Sequence, residues 1–381
     1  MKEYIYNQLH IMRHENCISI YDDNNLIKRV ELLPENIILG KINIPLSNVC
    51  TMKCKYCSEA DYIREETRVM AEEDAYLIID SYLEYTKGNS KLQIVRLSFD
   101  YGGEPVCQLK ALENISDYFR KACTKHGRQP IVQMTTNCVW HESLLQRILS
   151  ATDEVIVSID GDKELNERYR IHRSEGSVFS TILSNAKAIY NSGKLKQISS
   201  VVTVDTVAGV ERYIDFLAEN FPNASVKMSP VIMTGDAKNN GIERIPFSYW
   251  FGFMNTARNL AKGKLKILDT KPEKSLTTMY LYGCEHMRMT NWFCWLDGKI
   301  TCCTDRDTNT YVIGTLDNHV IKMDFAAMSR FIENNYVENI VKCDECLAKY
   351  YCAGGCPSFR EGKLNCNRRI EKYAKLLIEK A

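Results

Sequence analysis

Short apolar runs, some alternating and some continuous, recur between residues 41 and 235 and are separated by segments with helical periodicity. Runs of this kind, rich in Val, Ile and Thr, are typical of strands in a largely buried sheet. The predicted strands are KINIPL, IVRLSF, IVQMTT, VIVSI, SVVTV and VKMSP, and the first predicted helical face comprises Ala75, Ile78, Ile79, Tyr82 and Leu83. Amphipathic stretches follow most of the other strands too, so the pattern predicts about six βα units.

Parallel strands joined by right-handed helical crossovers form either an open doubly wound sheet or a barrel. Six units are too few for a complete eight-stranded barrel, so we expect an α/β fold built as a partial (β/α)6 TIM-like barrel with an open side. Both folds carry their chemistry beyond the carboxyl ends of the strands. Motifs lie at those positions: CTMKCKYC follows the first strand, GGEP the second, Asn137 the third, and Asp160 with Gly161 the fourth.

The segments outside the predicted barrel differ from it in composition and predicted structure. Residues 1–40 contain a predicted hairpin, CISIYDDNNLIKRVEL, with Asn24 and Asn25 near its turn. Residues 236–283 are predicted to be a linker with some helix, and their lysine-rich stretch AKGKLKILDTKPEK favours a solvated connector over a basic patch because it is short and lacks interleaved aromatics. Residues 284–381 form a small cysteine-rich domain in this prediction.

Charge and hydropathy exclude several classes of protein. Lys and Arg total 49 and Asp and Glu 48 among 381 residues, which leaves no broad electrostatic reason to bind nucleic acid or an anionic membrane. The start MKEYIYNQLHIMRHENC has no apolar core of a signal peptide, and no apolar run is long enough to cross a bilayer. We therefore expect a cytoplasmic protein, whose 16 cysteines are better explained by metal ligation than by disulfides.

The stretch CTMKCKYC places thiols at Cys50, Cys54 and Cys57. Three thiolates occupy three corners of a tetrahedral or cubane metal site and leave one corner open for something other than protein. An open corner favours chemistry over scaffolding, and a structural zinc site is the weaker alternative.

This C-x3-C-x2-C spacing, with Tyr56 before the last cysteine, resembles the radical SAM superfamily. The resemblance implies that the three thiolates hold a 4Fe-4S cluster whose fourth iron is chelated by the amino and carboxylate groups of S-adenosylmethionine. Electron transfer then cleaves the sulfonium to a 5′-deoxyadenosyl radical. It also implies an electron donor such as a flavodoxin or ferredoxin as a partner.

Further motifs extend the resemblance. GGEP resembles the motif that meets the methionine amino group, although alone it could be a simple glycine turn; VSIDG and ELNERYR resemble stretches near the cofactor's polar groups and carboxylate. The alternative interpretations are an ordinary strand end for VSIDG and a charged residue on a surface helix for ELNERYR. The implied cofactor-contacting residues are Tyr56, Gly102, Gly103, Glu104, Asn137, Ser158, Asp160 and Arg170.

The carboxyl-terminal cysteines resemble the SPASM extension of radical SAM enzymes. KCDECLAKYYCAGGC has the spacing C-x2-C-x5-C-x3-C, and Gly298 with Cys303 fits G-x4-C. The resemblance implies two auxiliary 4Fe-4S clusters, for a total of three, and a double zinc site is the alternative. The implied outer ligands are Cys343, Cys346, Cys352 and Cys366; the inner ligands are Cys284, Cys303 and Cys356, with Cys294 as a plausible fourth and Cys302 leaving the register open. Cys17, Cys107, Cys123 and Cys138 are expected to be ordinary thiols.

The layout over roughly residues 41–370 resembles anaerobic sulfatase-maturating enzymes and peptide maturases, without the extra leader-binding domain of many of the latter. In the sulfatase maturases an aspartate directly after an inner-cluster cysteine is the general base. Here that place holds Thr304, or Cys303 in the other register, with Asp305 one step beyond. Asp305 or Asp307 could serve as the base of a crosslinking enzyme, although both could also be solvated loop acids.

The resulting prediction is a radical enzyme that abstracts hydrogen from a residue of a ribosomally made peptide or protein and gives a crosslinked or oxidised product. Sulfatase maturation to formylglycine is the first alternative and small-molecule dehydrogenation another. A non-enzymatic iron-sulfur carrier or zinc scaffold is the alternative from a different class. No nucleic-acid or membrane partner is expected.

Overall fold

A computed structural model describes residues 3–6, 8–14, 17–34, 38–64, 66–174, 176–268, 278–282, 289–303, 311–355 and 366–380, which form an eleven-stranded sheet, a four-stranded sheet and a two-stranded sheet. The strands are β1 Glu3–Tyr6, β2 Leu9–Arg13, β3 Cys17–Asp22, β4 Asn25–Glu31, β5 Leu33–Pro34, β6 Ile38–Asn43, β7 Leu92–Phe99, β8 Gln129–Thr136, β9 Glu154–Ser158, β10 Leu195–Val202, β11 Ser225–Pro230, β12 Lys266–Leu268, β13 Thr278–Met279, β14 Asn291–Cys294, β15 Lys299–Thr301, β16 Val312–Asp317 and β17 Val320–Met323. The helices are α1 Ala60–Arg64, α2 Glu72–Tyr85, α3 Leu109–Lys125, α4 Leu145–Ala151, α5 Lys163–Tyr169, α6 Phe179–Asn191, α7 Val204–Ala208, α8 Val210–Asn220, α9 Gly235–Asn239, α10 Phe247–Ala261, α11 Phe325–Asn335, α12 Lys349–Cys352 and α13 Cys366–Lys380.

All six predicted strands form, as β6 to β11, and they pair in parallel in the order in which they follow along the chain. Helices connect each strand to the next, which confirms the predicted α/β architecture. Helix α2 shows why the periodicity works: it begins with three acidic residues at its positive N-terminus and buries the predicted face of Ala75, Ile78, Ile79, Tyr82 and Leu83.

The segment 236–283 differs from the predicted linker. Helix α10 lies against α8 and buries Phe253, Met254, Ala257 and Ala261 in the main core, and β12 then pairs in parallel with β11. The lysine-rich stretch is therefore partly a strand, and Lys264 within this stretch pairs with Asp215 at 3.0 Å. The described part of the segment adds a seventh βα unit to the barrel, because its apolar spacing buries a helical face on the sheet.

The sheet also continues past its other edge into the cysteine-rich region. Strand β14 pairs in parallel with β6, and β15, β16 and β17 follow as antiparallel neighbours, which gives an eleven-stranded sheet. The predicted boundary at residue 284 is therefore crossed by the backbone hydrogen bonds between β6 and β14. This continuity places residues 291–303 directly beside the first barrel strand.

The predicted amino-terminal hairpin forms as β3 and β4, with the turn between the paired Asp22 and Asn25. Strands β1 and β2 extend it to a four-stranded antiparallel sheet. One face of this sheet packs on the last segments of the chain in a second core formed by Ile11, Ile18, Ile20, Val30, Leu32, Val337, Leu347, Ala348, Tyr350, Ala353, Tyr373, Ala374 and Leu377. The two ends of the chain thus stabilise each other through apolar burial.

No helix in the described part of the chain is long and apolar enough to cross a membrane.

Candidate functional site

The three clustered cysteines lie on the loop that leaves the carboxyl end of β6. Burial raises the pKa of the Cys50 and Cys57 thiols to about 12, and repulsion among the three sulfurs adds to this; burial also raises the pKa of Cys54. Such thiols stay protonated until a cation compensates their charge, so metal binding here is coupled to proton release. Within the described residues no three His, Cys, Asp or Glu side chains are gathered closely enough to hold a single metal ion.

The GGEP turn holds the loop from the side of β7. The amide of Gly103 donates to the carbonyl of Ser47 at 2.8 Å, and the amide of Glu104 donates to the carbonyl of Val49 at 2.7 Å. A Cβ atom on Gly103 would lie 1.9 Å from the Val49 carbonyl oxygen, and Gly102 has a φ of 91°. The two glycines are required because the turn must approach the loop backbone more closely than any side chain permits.

The stretch 169–173, which starts at the last residue of α5, holds the loop from a second side. The amides of Lys53 and Lys55 donate to carbonyl oxygens of this stretch, each at 2.8 Å. The side chain of Arg173 donates from Nε to the carbonyl of Cys50 at 2.8 Å. The ERYR motif thus has a backbone role beside its expected cofactor role.

A third support comes from α9, which the sequence analysis missed because it treated these residues as part of a linker. The amide of Asp236 donates to the carbonyl of Cys57 at 3.0 Å, and the Asn240 side chain donates to the carbonyl of Lys55 at 2.9 Å. Gly235 has a φ of 50°, and a Cβ atom there would lie 2.5 Å from the Cys57 oxygen. The sequence signal that could have identified this support is Gly235, a glycine soon after the sixth strand, at the end of the sheet where the other motifs lie.

Glu104 and Asn137 meet beneath Cys50. The buried Glu104 carboxylate accepts from the Asn137 amide and the Thr136 hydroxyl, both at 2.8 Å. Burial raises the pKa of Glu104, although these hydrogen bonds oppose the shift. The Asn137 side-chain amide donates to the Thr51 hydroxyl at 3.1 Å and lies 3.8 Å from the Cys50 sulfur.

Tyr56, Asp160 and Arg170 form a buried polar group beside Cys54. The Tyr56 hydroxyl donates to the Asp160 carboxylate and accepts from the Arg170 guanidinium at 3.1 Å. Burial disfavours the charge of Arg170, but the facing Tyr56, Cys54 and Asp160 outweigh it and hold its pKa well above the usual value. The Nε of Arg170 is buried and has no hydrogen-bond partner among the described residues. A buried cation with a donor to spare fits an anionic group of a ligand.

These residues fit the expected iron-sulfur cluster and its amino-acid cofactor. Three thiols, a buried carboxylate for an ammonium group and a buried guanidinium for a carboxylate group gather around one loop. Ser158 is half-buried at the carboxyl end of β9, on the neighbouring strand.

The structure gathers part of the predicted outer cysteine set. Burial raises the pKa of the Cys346 thiol, with further contributions from the nearby Cys352 and Cys366, and Cys343 packs against the same second core. This places the four predicted outer ligands in one region of the fold.

The inner set is only partly described. Cys294 is 2% exposed in the main core and pairs across the hairpin with Ile300, while Cys303 is half-buried. The predicted ligands Cys284 and Cys356, Thr304 at the expected position of the base, and the candidate bases Asp305 and Asp307 lie outside the described residues.

An aromatic wall, defined here as Tyr62, Tyr101, Phe293 and Trp295, lines the junction of β6, β7 and β14. The ring centroids of Tyr62 and Trp295 are 6.0 Å apart and those of Tyr101 and Phe293 5.8 Å. The sequence did not predict that these four aromatic residues lie together, although Tyr101 directly precedes GGEP.

A charged pair inside the barrel adjoins the aromatic wall. The Lys41 ammonium lies 3.0 Å from the Asp100 carboxylate and 5.9 Å from the centroid of the Phe293 ring. Burial raises the pKa of Asp100, but the Lys41 charge and several hydrogen bonds outweigh it, so the net pKa is lowered. The barrel interior beside the wall is therefore polar and charged.

Comparisons with known proteins agree with this geometry. A family model described as a 4Fe-4S single cluster domain matches residues 43–183. Among curated protein sequences the comparison finds no match.

Solved structures share the fold over nearly the whole chain. The solved structure of native anSMEcpe with bound AdoMet is 18% identical, with a TM-score of 0.63, and the match covers 89% of this chain and 98% of that chain. The same protein with AdoMet and the Kp18Cys peptide gives a TM-score of 0.63 at 18% identity over 89% and 98% of the two chains. With the Cp18Cys peptide the TM-score is 0.61 at 18% identity, over 89% and 97%.

The chain therefore shares its fold with a protein solved with bound AdoMet, and a four-iron cluster domain model matches the cysteine loop. Both findings agree with the predicted likeness to the radical SAM superfamily.

Proposed function

We propose that this protein is a radical SAM enzyme that abstracts hydrogen from a residue of a peptide or protein and gives a crosslinked or oxidised product. One observation carries the proposal. The thiols of Cys50, Cys54 and Cys57 lie on one loop, with the buried Glu104 carboxylate under it and the buried Arg170 guanidinium beside it. This donor set leaves room for a ligand with both an ammonium and a carboxylate.

Each residue of the site has a defined task in this proposal. Glu104 accepts from the ammonium of S-adenosylmethionine, and Arg170 pairs with its carboxylate. Asn137 holds the loop at Thr51, and Tyr56 with Asp160 fixes the guanidinium. When bound, the cluster and S-adenosylmethionine supply the one-electron chemistry that starts hydrogen abstraction.

The carboxyl-terminal part of the proposal is a SPASM domain over residues 284–381 with two auxiliary 4Fe-4S clusters, for a total of three. The closeness of Cys346, Cys352 and Cys366 supports the outer cluster. Full ligation by cysteine suits an electron acceptor better than a substrate-binding site. Asp305 remains the proposed general base for the substrate.

A peptide substrate is supported by two observations. The fold matches that of a protein solved with bound peptides. In addition, the half-buried Tyr101 and the partly exposed pair of Lys41 and Asp100 offer apolar and charged contacts directly beside the GGEP turn. A peptide residue carries both kinds of group, and its flanking backbone adds donors and acceptors.

Anaerobic reconstitution tests the proposal. We expect about twelve irons per chain, in keeping with three four-iron clusters, and release of 5′-deoxyadenosine on reduction in the presence of S-adenosylmethionine. The Cys54→Ala variant should lose about four irons and all 5′-deoxyadenosine, whereas the matched Cys123→Ala variant, a core thiol, should lose neither. Zinc at the three thiols, or a cluster whose electron paramagnetic resonance signal ignores added S-adenosylmethionine, would refute it.

Sulfatase maturation is the second candidate, because the fold matches anSMEcpe over 89% of this chain. Thr304 in place of the expected aspartate weighs against it. An aldehyde-reactive hydrazide probe separates sulfatase maturation from crosslinking, since formylglycine carries an aldehyde and a crosslinked peptide does not. Labelling of a peptide after turnover would favour the second candidate.

A further inference from the structure

The amino-terminal sheet contacts the predicted outer cysteine set through two side chains. The Tyr4 hydroxyl of β1 donates to the carbonyl of Glu345 at 2.8 Å, and the Arg13 guanidinium at the end of β2 donates to the carbonyl of Asp344. These two acceptors are the middle residues of the CDEC motif, whose cysteines are both predicted outer ligands. The sheet therefore holds the backbone of a turn that is expected to carry two cluster ligands.

The register of the sheet explains why these two side chains meet the same turn. Tyr4 pairs with Ile11, and Arg13 lies two residues beyond Ile11 on the same strand. Residues opposite each other, and residues two apart on one strand, share a face of a sheet. Ile11 is fully buried in the second core, so Tyr4 and Arg13 lie on the face that packs against the last segments of the chain.

The contacts of Arg13 are with uncharged groups. Besides the Asp344 carbonyl, its guanidinium carbon lies 5.5 Å from the centroid of the Tyr350 ring. The nearby Lys349 ammonium differs, because it pairs with Glu338 at 2.5 Å and with the Asp344 carboxylate at 3.4 Å. In the described part of the chain no carboxylate forms an ion pair with Arg13. Its positive charge is therefore left for another anionic group.

One donor of Arg13 is also left over. Its Nε is buried and has no hydrogen-bond partner among the described residues. A buried donor without an acceptor destabilises a fold, and apolar packing of the sheet gives no reason to place one here. A cluster with sulfur acceptors at the CDEC turn would supply both the missing acceptor and the missing negative charge.

Electrostatic effects on Cys346 show that both side chains are near its sulfur. Burial raises the pKa of the Cys346 thiol, and the positive charge of Arg13 opposes this rise. Burial also raises the pKa of Tyr4, and a hydrogen bond with the Cys346 side chain adds to that rise. Arg13 and Tyr4 therefore approach the same predicted ligand.

We infer that Arg13 and Tyr4 are positioning residues of the outer cluster, which hold its CDEC turn and raise its reduction potential; this rests on the proposed function. A four-iron cluster with four thiolate ligands is anionic, and reduction adds one more negative charge. A neighbouring cation and hydrogen bonds to sulfur stabilise the more negative state, so they shift the potential upward.

A higher potential suits an electron acceptor. In the proposed function the substrate radical loses one electron and one proton, which completes its oxidation. A base accepts the proton, and the electron reduces an auxiliary cluster by one electron. Raising the potential of the outer cluster favours this electron transfer, and the amino-terminal sheet thus becomes part of the redox site.

The test is a redox titration of the reconstituted enzyme, followed by electron paramagnetic resonance. A Cys54→Ala background removes the cluster of the cysteine loop, and Cys54→Ala/Cys346→Ser then identifies the signal of the outer cluster. In this background Arg13→Gln should shift the outer midpoint by at least about 59 mV to more negative potential, which is a tenfold change in a one-electron equilibrium. The inner midpoint should not change. The matched control, Arg29→Gln, removes a charge from an exposed position on β4 of the same sheet and should shift neither midpoint.

Two further variants separate the charge from the hydrogen bonds. Arg13→Lys keeps the charge but has no Nε donor, so it should recover part of the shift seen in Arg13→Gln. Tyr4→Phe removes only a hydroxyl and should shift the outer midpoint in the same direction by a smaller amount. The iron content of each variant is measured alongside, because only a retained cluster has a midpoint to compare.

Wild-type outer midpoints in both Arg13→Gln and Tyr4→Phe, with the iron retained, would overturn the inference. An equal shift in Arg29→Gln would also overturn it, because the effect would then belong to the charge of the whole sheet. If Arg13→Gln loses the outer iron, Tyr4→Phe decides: a negative shift supports the inference and a wild-type value overturns it. If wild type holds only about four irons, the carboxyl-terminal part of the proposed function has failed and the inference falls with it. About twelve irons with unchanged midpoints would overturn the inference alone.

Discussion

The closest contact in the site lies between the GGEP turn and the cysteine loop, and Gly103→Ala tests it. The added Cβ would lie 1.9 Å from the Val49 carbonyl oxygen, and real Cβ atoms essentially never come within 3.0 Å of another heavy atom. The two backbones must therefore separate by about 1 Å at this point. Neither is a flexible side-chain end that can rotate away.

That separation breaks the hydrogen bonds from Gly103 to Ser47 and from Glu104 to Val49, which are 2.8 and 2.7 Å long. Each contributes about 0.5–1.5 kcal/mol, and overpacking a tight interior adds about 1–3 kcal/mol. We therefore expect a loss of about 2–6 kcal/mol in the free energy that holds the turn to the loop. The Glu104 carboxylate moves with the turn, and a misplacement of about 1 Å can cost about a hundredfold in rate.

The assay has two parts, both on reconstituted protein without oxygen. S-adenosylmethionine affinity, from its effect on the electron paramagnetic resonance signal of the reduced cluster, should fall at least about tenfold, which corresponds to about 1.4 kcal/mol. The thermal midpoint should fall by several degrees. Gly88→Ala is the control, because it has open space around its Cβ and an ordinary φ. Wild-type affinity and midpoint in Gly103→Ala would refute the reasoning.

Three further changes test other parts of the structure. Tyr56→Phe removes the hydroxyl that joins a buried carboxylate to a buried guanidinium, and should cost about 1–3 kcal/mol, seen as a lower thermal midpoint; an unchanged midpoint would contradict the contact. Lys41→Met leaves the nearly buried Asp100 carboxylate without its ammonium and should cost about 3–5 kcal/mol in urea unfolding at pH 7. Because the net pKa of Asp100 is lowered from 3.8, the stabilisation by Lys41 is present above pH 3.8. The difference in unfolding free energy between Lys41→Met and wild type should therefore narrow below pH 3.8. A difference that does not depend on pH would count against the ion pair. Cys346→Ser should lower the iron content by about four of about twelve, while Cys107→Ser should leave it unchanged; equal iron in both would remove Cys346 from the outer ligands.

The barrel and the cysteine loop were predictable because their signals are local. Alternation and helical spacing depend on near neighbours, and the predicted face of α2 from Ala75 to Leu83 is buried as expected. The spacing of Cys50, Cys54 and Cys57 depends on a single loop. The placement of GGEP and Asn137 beside that loop followed from the rule that parallel strands end at the same edge of the sheet.

Other parts of the site were not predictable in this way, because their partners are distant in sequence. Gly235 and Asp236 support the backbone of Cys57, yet about 180 residues separate them, and the local pattern of GDAKNNG is that of any turn. The lysine-rich stretch hid β12, because lysines are depleted in strands when judged by propensity alone.

The amino-acid sequence alone was enough to predict the repeating βα units, the three-thiol loop and the motifs at the strand ends, since each depends on spacing within a few residues. The pairing of β14 with β6, which builds the aromatic wall of Phe293 and Tyr101, and the docking of α9 on the loop arise from contacts across the whole chain. Such contacts form where buried area and backbone hydrogen bonds are satisfied together, and no short window of sequence contains both partners.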